Sequence, residues 1–379
     1  MERQISSENN FDRVYEELKK DTFLWDLFTK KEEYPPCQVD RHGRFSFHTS
    51  KYKDVLRPSV SEYLINKGYH LEYPDRKKFC VVLTHDVDDV YVSLRHFLFS
   101  LRFQPRLKNL SRCFSLSQGL VNHAKISYIN FNKIIEIEQM YDAVSTFFFL
   151  SSARDIFGKK YSYEAIQKDI VSVLEQGCEL GFHTGYYHYA NSKEIQKEKK
   201  RMERLFKVKI LGARNHVLRF DTPESWETLS NAGFSYDSTF GYHDMIGFRN
   251  GMCHPFVPFN LYTMKKINIV EIPLHIQDLT LWHMNLSPDD RWKYIKNLMD
   301  VTMKCNGVLT ILWHTWIFSL PTSYGGVFGK EWTDLYIKIL EYANQNGAWI
   351  TNCQTLFQHA QQNGLLKKTT PRKINEGDA

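Results

Sequence analysis

The sequence predicts an α/β protein whose body is a single (β/α) barrel, and three observations lead there. From Cys80 onward, short apolar runs alternate with amphipathic helical patterns, the signature of βα units around a parallel sheet or barrel. The runs read as eight strands: CVVLT, STFFFL, CELGF, VKILGA, FSYDST, INIVEIPLHI, GVLTILW and AWITN. Four of them lead straight into a histidine, His85, His183, His216 and His314, and in a βα barrel the loops after the strand ends converge on one face.

The elements follow in order. Residues 1–75 are polar, with Pro35 and Pro36 adjacent and a helix-like VSEYLINKG ending at Gly68; they read as a small N-terminal extension packed on the body. Residues 76–360 form the barrel. Its helices include YEAIQKDIVSVLEQG, stopped by Gly177, and EIQKEKKRMERLF, with apolar residues at helical spacing. Residues 361–379, ending KKTTPRKINEGDA, read as a flexible charged tail.

Composition narrows the class. Of 379 residues, 42% are hydrophobic, 15% aromatic and 24% charged, ordinary globular usage that excludes disordered, collagen-like and disulfide-scaffold chains. No apolar run approaches the ~20 residues of a membrane span. The opening MERQISSENN carries charge and no apolar core of a signal peptide, so the expected location is the cytoplasm. Seven cysteines, odd in number and without a CxxC pair, argue against both a disulfide framework and a thiolate zinc site.

The net charge of +6 is unevenly spread: no Asp or Glu lies between Asp89 and Glu136, where seven Lys and Arg from Arg95 to Lys133 interleave with phenylalanines. The plain reading is a solvated helical face. The sharper one is a membrane-peripheral contact of residues 95–133 with anionic lipid. No nucleic-acid partner is expected, and no glycine-rich phosphate loop supports a nucleotide cofactor.

The chemistry concentrates at the strand ends. In THDVDD, Asp86 and Asp88 are two residues apart and face one way on a strand. Two close carboxylates raise each other's proton affinity unless a cation intervenes, and a metal is the natural cation. HTGYYH adds His183 and His188; one Asp with two neutral imidazoles suits zinc, iron or cobalt and leaves positions for water. His85 alternates away from Asp86 and reads as a buried, hydrogen-bonded residue.

LTHDVDD, GFHTGYYH, GARNHVLRFDTPESW with AGFSYDST, and ILWH resemble, in order, the successive motifs of the polysaccharide deacetylase (NodB-like) carbohydrate esterases, over roughly residues 80–358. The opening THDVD is similar to a cytosolic branch linked to surface-polysaccharide biosynthesis. The resemblance implies a distorted barrel of the NodB type and one divalent metal, most simply zinc, with iron or cobalt as alternatives. It implies Asp86 as general base, Asp88 and His183 as metal ligands, Arg214 as the group holding Asp86 charged and oriented, and His314 as general acid tuned by Asp278. The family's second histidine falls four residues after the first, which here is Tyr187; His188, one residue late, is the preferred third ligand, and His216 the alternative.

The implied activity is removal of an acyl group, most simply acetyl, from an N-acylated sugar of a glycan or its precursor. Such a metal lowers the pKa of water to about 7 and polarises the acyl carbonyl. Two other readings stay open: hydrolysis of a non-sugar linear or cyclic amide, and a non-catalytic glycan-binding relative.

Overall fold

Nine consecutive residues, Phe79–Val87, are buried, as a strand covered on both faces requires of its sequence. This strand, β1, organises the computed structural model, which describes residues 8–90, 129–152, 154–156, 158–159, 161–318 and 330–368. Most of the basic stretch 95–133 and the last part of the tail lie outside them.

The remaining strands of the main sheet are β2 (Thr146–Leu150), β3 (Glu179–Thr184), β4 (Gly212–Asn215), β5 (Tyr236–Asp237), β6 (Val270–Glu271), β7 (Ile276–Gln277), β8 (Val308–Leu312) and β9 (Ala348–Thr351). Every pairing is parallel, in the order β6-β5-β4-β3-β2-β1-β8-β7. One edge of β1 is shared: β9 takes Phe79 to Val82, and β2 takes Thr84 to Val87. Because all strands run the same way, their C-terminal ends open on one face.

The sheet is a curled half-barrel rather than a closed one, and the reason lies in INIVEIPLHI. That segment is not one strand. Pro273 has no N–H to give a ladder, and around it the chain changes neighbours: Val270–Glu271 pair with β5, and Ile276–Gln277 pair with β8. One short segment thus supplies both edges of the sheet and draws them towards each other.

The connecting helices follow local rules. Ser192–Phe206 starts where the Asn191 side chain accepts the Glu194 N–H, and buries Ile195, Lys199, Met202 and Phe206 at helical spacing. Close packing under the sheet leaves no room for a side chain at Gly212, where a Cβ would overlap the Tyr236 ring.

Residues 8–75 add three helices, Glu8–Leu18, Thr22–Thr29 and Ser59–Asn66. They meet the barrel through buried charge. Glu33 accepts two hydrogen bonds from Arg249, at 2.9 and 2.8 Å, and one from Thr222 at 2.8 Å. Lys30, fully buried, donates to Glu32 and to the Tyr242 hydroxyl. Beyond residue 361 the chain does not leave the surface at once: the last helix ends at Asn363, and Lys367–Lys368 pair antiparallel with Tyr69–His70.

A second buried charge problem sits under the sheet, where Asp237 and Glu271 are register partners on β5 and β6. Burial raises Asp237 to about 6, and burial together with the Asp237 charge holds Glu271 well above the usual carboxylate range. The pair therefore keeps a proton that the unfolded chain would release. Its contribution is complete below the ordinary carboxylate range and is lost as pH rises, through about 6 for Asp237 and at higher pH for Glu271.

Two outcomes follow. Glu33→Ala leaves Arg249 buried without its partner and should cost about 3–5 kcal/mol, read from urea denaturation; a loss near zero would show that the extension is not anchored there. Glu271→Gln supplies a permanent N–H to Asp237, so between pH 6 and pH 9 the variant should lose less stability than the parent chain, and equal slopes would contradict the shared proton.

Candidate functional site

The parallel strand ends bring seven sequence-selected residues to one place. Asp86 is the next-to-last residue of β1 and Asp88 follows its end. His85 points to the other side, bonded to the Trp313 carbonyl at 2.6 Å and Glu138 at 2.8 Å. From β3, His183 aims its Nε2 at Asp88 Oδ1, 3.2 Å away, and at Asp86 Oδ2, 3.6 Å away. His216, just past β4, brings its Nε2 to 3.6 Å from the same Asp88 oxygen. Opposite them, His314 Nε2 stands 3.6 Å from Asp88 Oδ2.

The protonation of these rings is fixed from behind. His183 donates from Nδ1 to the Arg214 carbonyl at 2.9 Å, and His216 from Nδ1 to Asp155 Oδ1 at 2.8 Å. Neither partner has a proton to give, so in the neutral rings both Nε2 atoms present lone pairs to the Asp88 carboxylate. Asp88 Oδ1 and His183 Nε2 are buried without a hydrogen-bond partner. Facing buried acceptors repel unless a cation lies between them, and ligand atoms of Asp88, His183 and His216 all lie within 4.8 Å of one another. One carboxylate and two imidazoles are a donor set that fits a divalent transition metal.

Electrostatics point the same way. Burial alone would push His216 down, but the charges of Asp88 and Asp155 outweigh it and raise the ring to about 10. Asp88 is held well below the usual carboxylate range, burial being overcome by His216 and His183. The pocket calls for positive charge, supplied by a proton when no metal does so.

His188 does not join the group. The strand ends at Thr184, and the following turn, closed by His188 N–H to the Gly185 carbonyl at 2.9 Å, leaves Tyr187 and His188 exposed. Its place is taken by His216, because β3 and β4 pair His183 with Arg214 and so bring the next turn of β4 alongside. The preference for His188 is corrected accordingly.

Around this triad lie two braced groups. Arg214, fully buried, donates from Nη1 to Asp86 Oδ1 at 2.9 Å and to Thr84 at 2.8 Å, and from Nε and Nη2 to the carbonyl and hydroxyl of Ser238. His314 donates from Nδ1 to Asp278 Oδ1 at 2.7 Å, while its backbone N–H binds Asp278 Oδ2 at 2.5 Å. Burial opposes charge on His314, but Asp278, with Asp88 and Asp86 behind it, prevails and raises the imidazole to about 9.

Sequence reasoning missed Asp155, Thr84 and Ser238. Asp155 also accepts the Tyr186 N–H at 2.8 Å, tying the HTGYYH loop to His216. Its one signal was position, a carboxylate five residues past the end of β2. Of the aromatic side chains next to these strand ends, Trp313, Trp316 and Phe220 are buried, whereas Tyr187 is 65% exposed.

No protein-family model matches the chain, and no curated protein does. Among solved structures, a protein from Mycobacterium smegmatis assigned as a polysaccharide deacetylase is 16% identical, with a TM-score of 0.51 over 80% of this chain and 97% of that one. The peptidoglycan deacetylase PdaC from Bacillus subtilis is 15% identical, with a TM-score of 0.33 over 76% and 94%. The curled parallel sheet is the fold of the NodB-type deacetylases.

The geometry separates the two histidines by experiment. His188→Ala should leave zinc affinity unchanged, whereas Asp155→Ala, which frees the His216 ring, should weaken it about 10–100-fold, measured with a competing chelator. The reverse order would return the third ligand to His188.

Proposed function

We propose that the chain is a metal-dependent hydrolase that removes an N-acyl group, most simply acetyl, from an amino sugar of a glycan or glycan precursor. The observation that carries this reading is the cluster of Asp88, His183 and His216, whose donor atoms lie within 4.8 Å of one another, flanked by one braced carboxylate and one braced imidazole. The fold shared with a protein assigned as a polysaccharide deacetylase supports it.

A divalent cation held by Asp88, His183 and His216, with zinc the first choice and iron or cobalt alternatives, would acidify water and polarise the acyl carbonyl. Asp86 has one oxygen bound to Arg214, and its other oxygen faces the centre. That oxygen is the base that takes a proton from the attacking water. Arg214 is itself locked by Ser238 and Thr84, so the carboxylate cannot swing away.

As the new C–O bond forms, the C–N bond must break, and an amide nitrogen leaves only if it is protonated. His314 is placed for that step. Its Nδ1–H is committed to Asp278, so the proton it can give sits on Nε2, which faces the centre. The products are a free amine on the sugar and a carboxylate. Asp278 supports the charged ring, and its grip on the His314 backbone N–H fixes the distance between acid and base.

Acetate release from N-acetylated amino sugars and their oligomers, measured with metal content, tests this assignment. Asp86→Asn and His314→Ala should each lower turnover about 100- to 10,000-fold while retaining stoichiometric metal. Wild-type turnover in Asp86→Asn would remove the base, and ring opening of a cyclic amide without acetate from any sugar would move the activity to the non-sugar amides.

A further inference from the structure

One peptide unit, the Trp313–His314 link just past β8, is gripped by both of its polar atoms. In front, the His314 N–H donates to Asp278 Oδ2 at 2.5 Å. Behind, the Trp313 carbonyl accepts from His85 Nδ1 at 2.6 Å. His85 precedes Asp86 on β1, and strand alternation sends its side chain to the opposite face. A side chain next to the base therefore reaches, from the back of the sheet, the peptide that carries the acid.

Holding the two strands together does not require this bond. β1 and β8 already pair in register from Cys80 with Val308 to Thr84 with Leu312, and the Trp313 N–H extends the ladder to the Thr84 carbonyl at 3.0 Å. What the ladder leaves open is the rotation of the next peptide, since β8 ends at Leu312. A peptide unit is planar, so gripping its oxygen and its N–H together fixes ψ of Trp313 and φ of His314. Those two angles set the direction in which the His314 side chain leaves the backbone.

His85 is itself held. Its Nε2 faces Glu138 Oε1 at 2.8 Å, and Glu138 also accepts from the hydroxyls of Tyr336 at 2.6 Å and Ser145 at 2.7 Å. All four side chains are buried, and the His85 ring lies 4.9 Å from the Phe147 ring centre. A backbone carbonyl only accepts, so Nδ1 carries a hydrogen. A further proton lies between Nε2 and Oε1: on the ring it makes an imidazolium–carboxylate pair, on the oxygen a neutral pair, and in both Nδ1 keeps its hydrogen. A donor on the Trp313 carbonyl also polarises the peptide and strengthens its N–H towards Asp278. Glu138, His85, the peptide, Asp278 and the His314 ring thus form one hydrogen-bonded series.

We propose that His85 and Glu138 are positioning residues for the reaction, acting through the Trp313–His314 peptide to aim the proton donor. The proposal rests on the reading of His314 as the acid. In the step it serves, the C–N electron pair goes to nitrogen and the His314 Nε2 proton joins it, leaving a neutral ring and a free amine.

Two variants separate the two nitrogens of His85. Asparagine places its NH₂ where Nδ1 stands, and glutamine reaches the Nε2 position, so His85→Asn keeps the carbonyl bond and His85→Gln loses it. With the full-length, zinc-loaded chain and N-acetylglucosamine oligomers, His85→Gln should lower kcat about 10- to 100-fold, as misplacement of a catalytic group does. KM and zinc affinity should not change, and His85→Asn should recover most of the loss. An activated ester, para-nitrophenyl acetate, needs no proton on its leaving phenolate, so both variants should hydrolyse it at the parent rate. Equal loss of amide and ester turnover in His85→Gln, or His85→Asn falling as far as His85→Gln, would overturn the positioning role. An activity-free readout is the downfield Nδ1–H resonance of His314, identified by its loss in His314→Ala. It should move upfield in His85→Gln and stay in place in His85→Asn; a resonance unmoved in both overturns the proposal. The two readings fail separately. If the parent chain releases no acetate, or His314→Ala loses amide and ester turnover alike, the acid assignment falls, while the resonance still decides whether His85 aims the ring.

Discussion

The centre depends on one electrostatic constraint: lone pairs on a carboxylate and two imidazoles are held within 4.8 Å of one another. Asp88 Oδ1 and His183 Nε2 are buried and unpaired, and the rings cannot relieve the repulsion by changing tautomer, because their other nitrogens already donate to the Arg214 carbonyl and Asp155. Such an arrangement costs folding free energy unless a cation completes it. The remaining features of the face serve that constraint: Arg214 balances the second carboxylate, Asp86, and Asp278 balances His314 on the far side.

Much of this was legible in the sequence because parallel strands bury both faces and so read as unbroken apolar runs. All eight runs contain strands, and residues chosen for lying at their ends, Asp86, Asp88, His183, Arg214 and His314, do meet. What failed depended on register and turn geometry, which composition does not encode. Whether His188 or His216 reaches the metal is decided by a turn at Gly185 and by the pairing of His183 with Arg214. INIVEIPLHI looked like one strand because its apolar pattern continues through Pro273, yet the ladder partners change there. Asp155 carried no motif at all, since its role arises only once β2, β3 and β4 are neighbours.

The N-terminal extension is likewise held by interactions that composition could not suggest. Its polar sequence hides Glu33 and Lys30, both buried and both satisfied by barrel residues. Arg249 reaches Glu33 while its guanidinium lies over Phe240, 4.4 Å from the ring centre, so charge pairing and aromatic packing fix the extension in one orientation. That orientation is what allows Arg44 to meet the Val217 carbonyl one residue from His216.

Moving the third ligand from a loop to a strand end has a structural consequence. A histidine on an exposed turn can be oriented by water, but His216 is buried, and its Nδ1 requires an acceptor from a neighbouring segment. Asp155, from the loop after β2, is that acceptor, and its second oxygen holds the Tyr186 N–H of the loop in which His188 lies. The metal-facing atoms of β1, β3 and β4 are thereby joined to the loop after β2 through one carboxylate. Change at Asp155 would therefore disturb the metal site and the loop bearing the exposed Tyr187 together, whereas change at His188 touches only the surface of that loop.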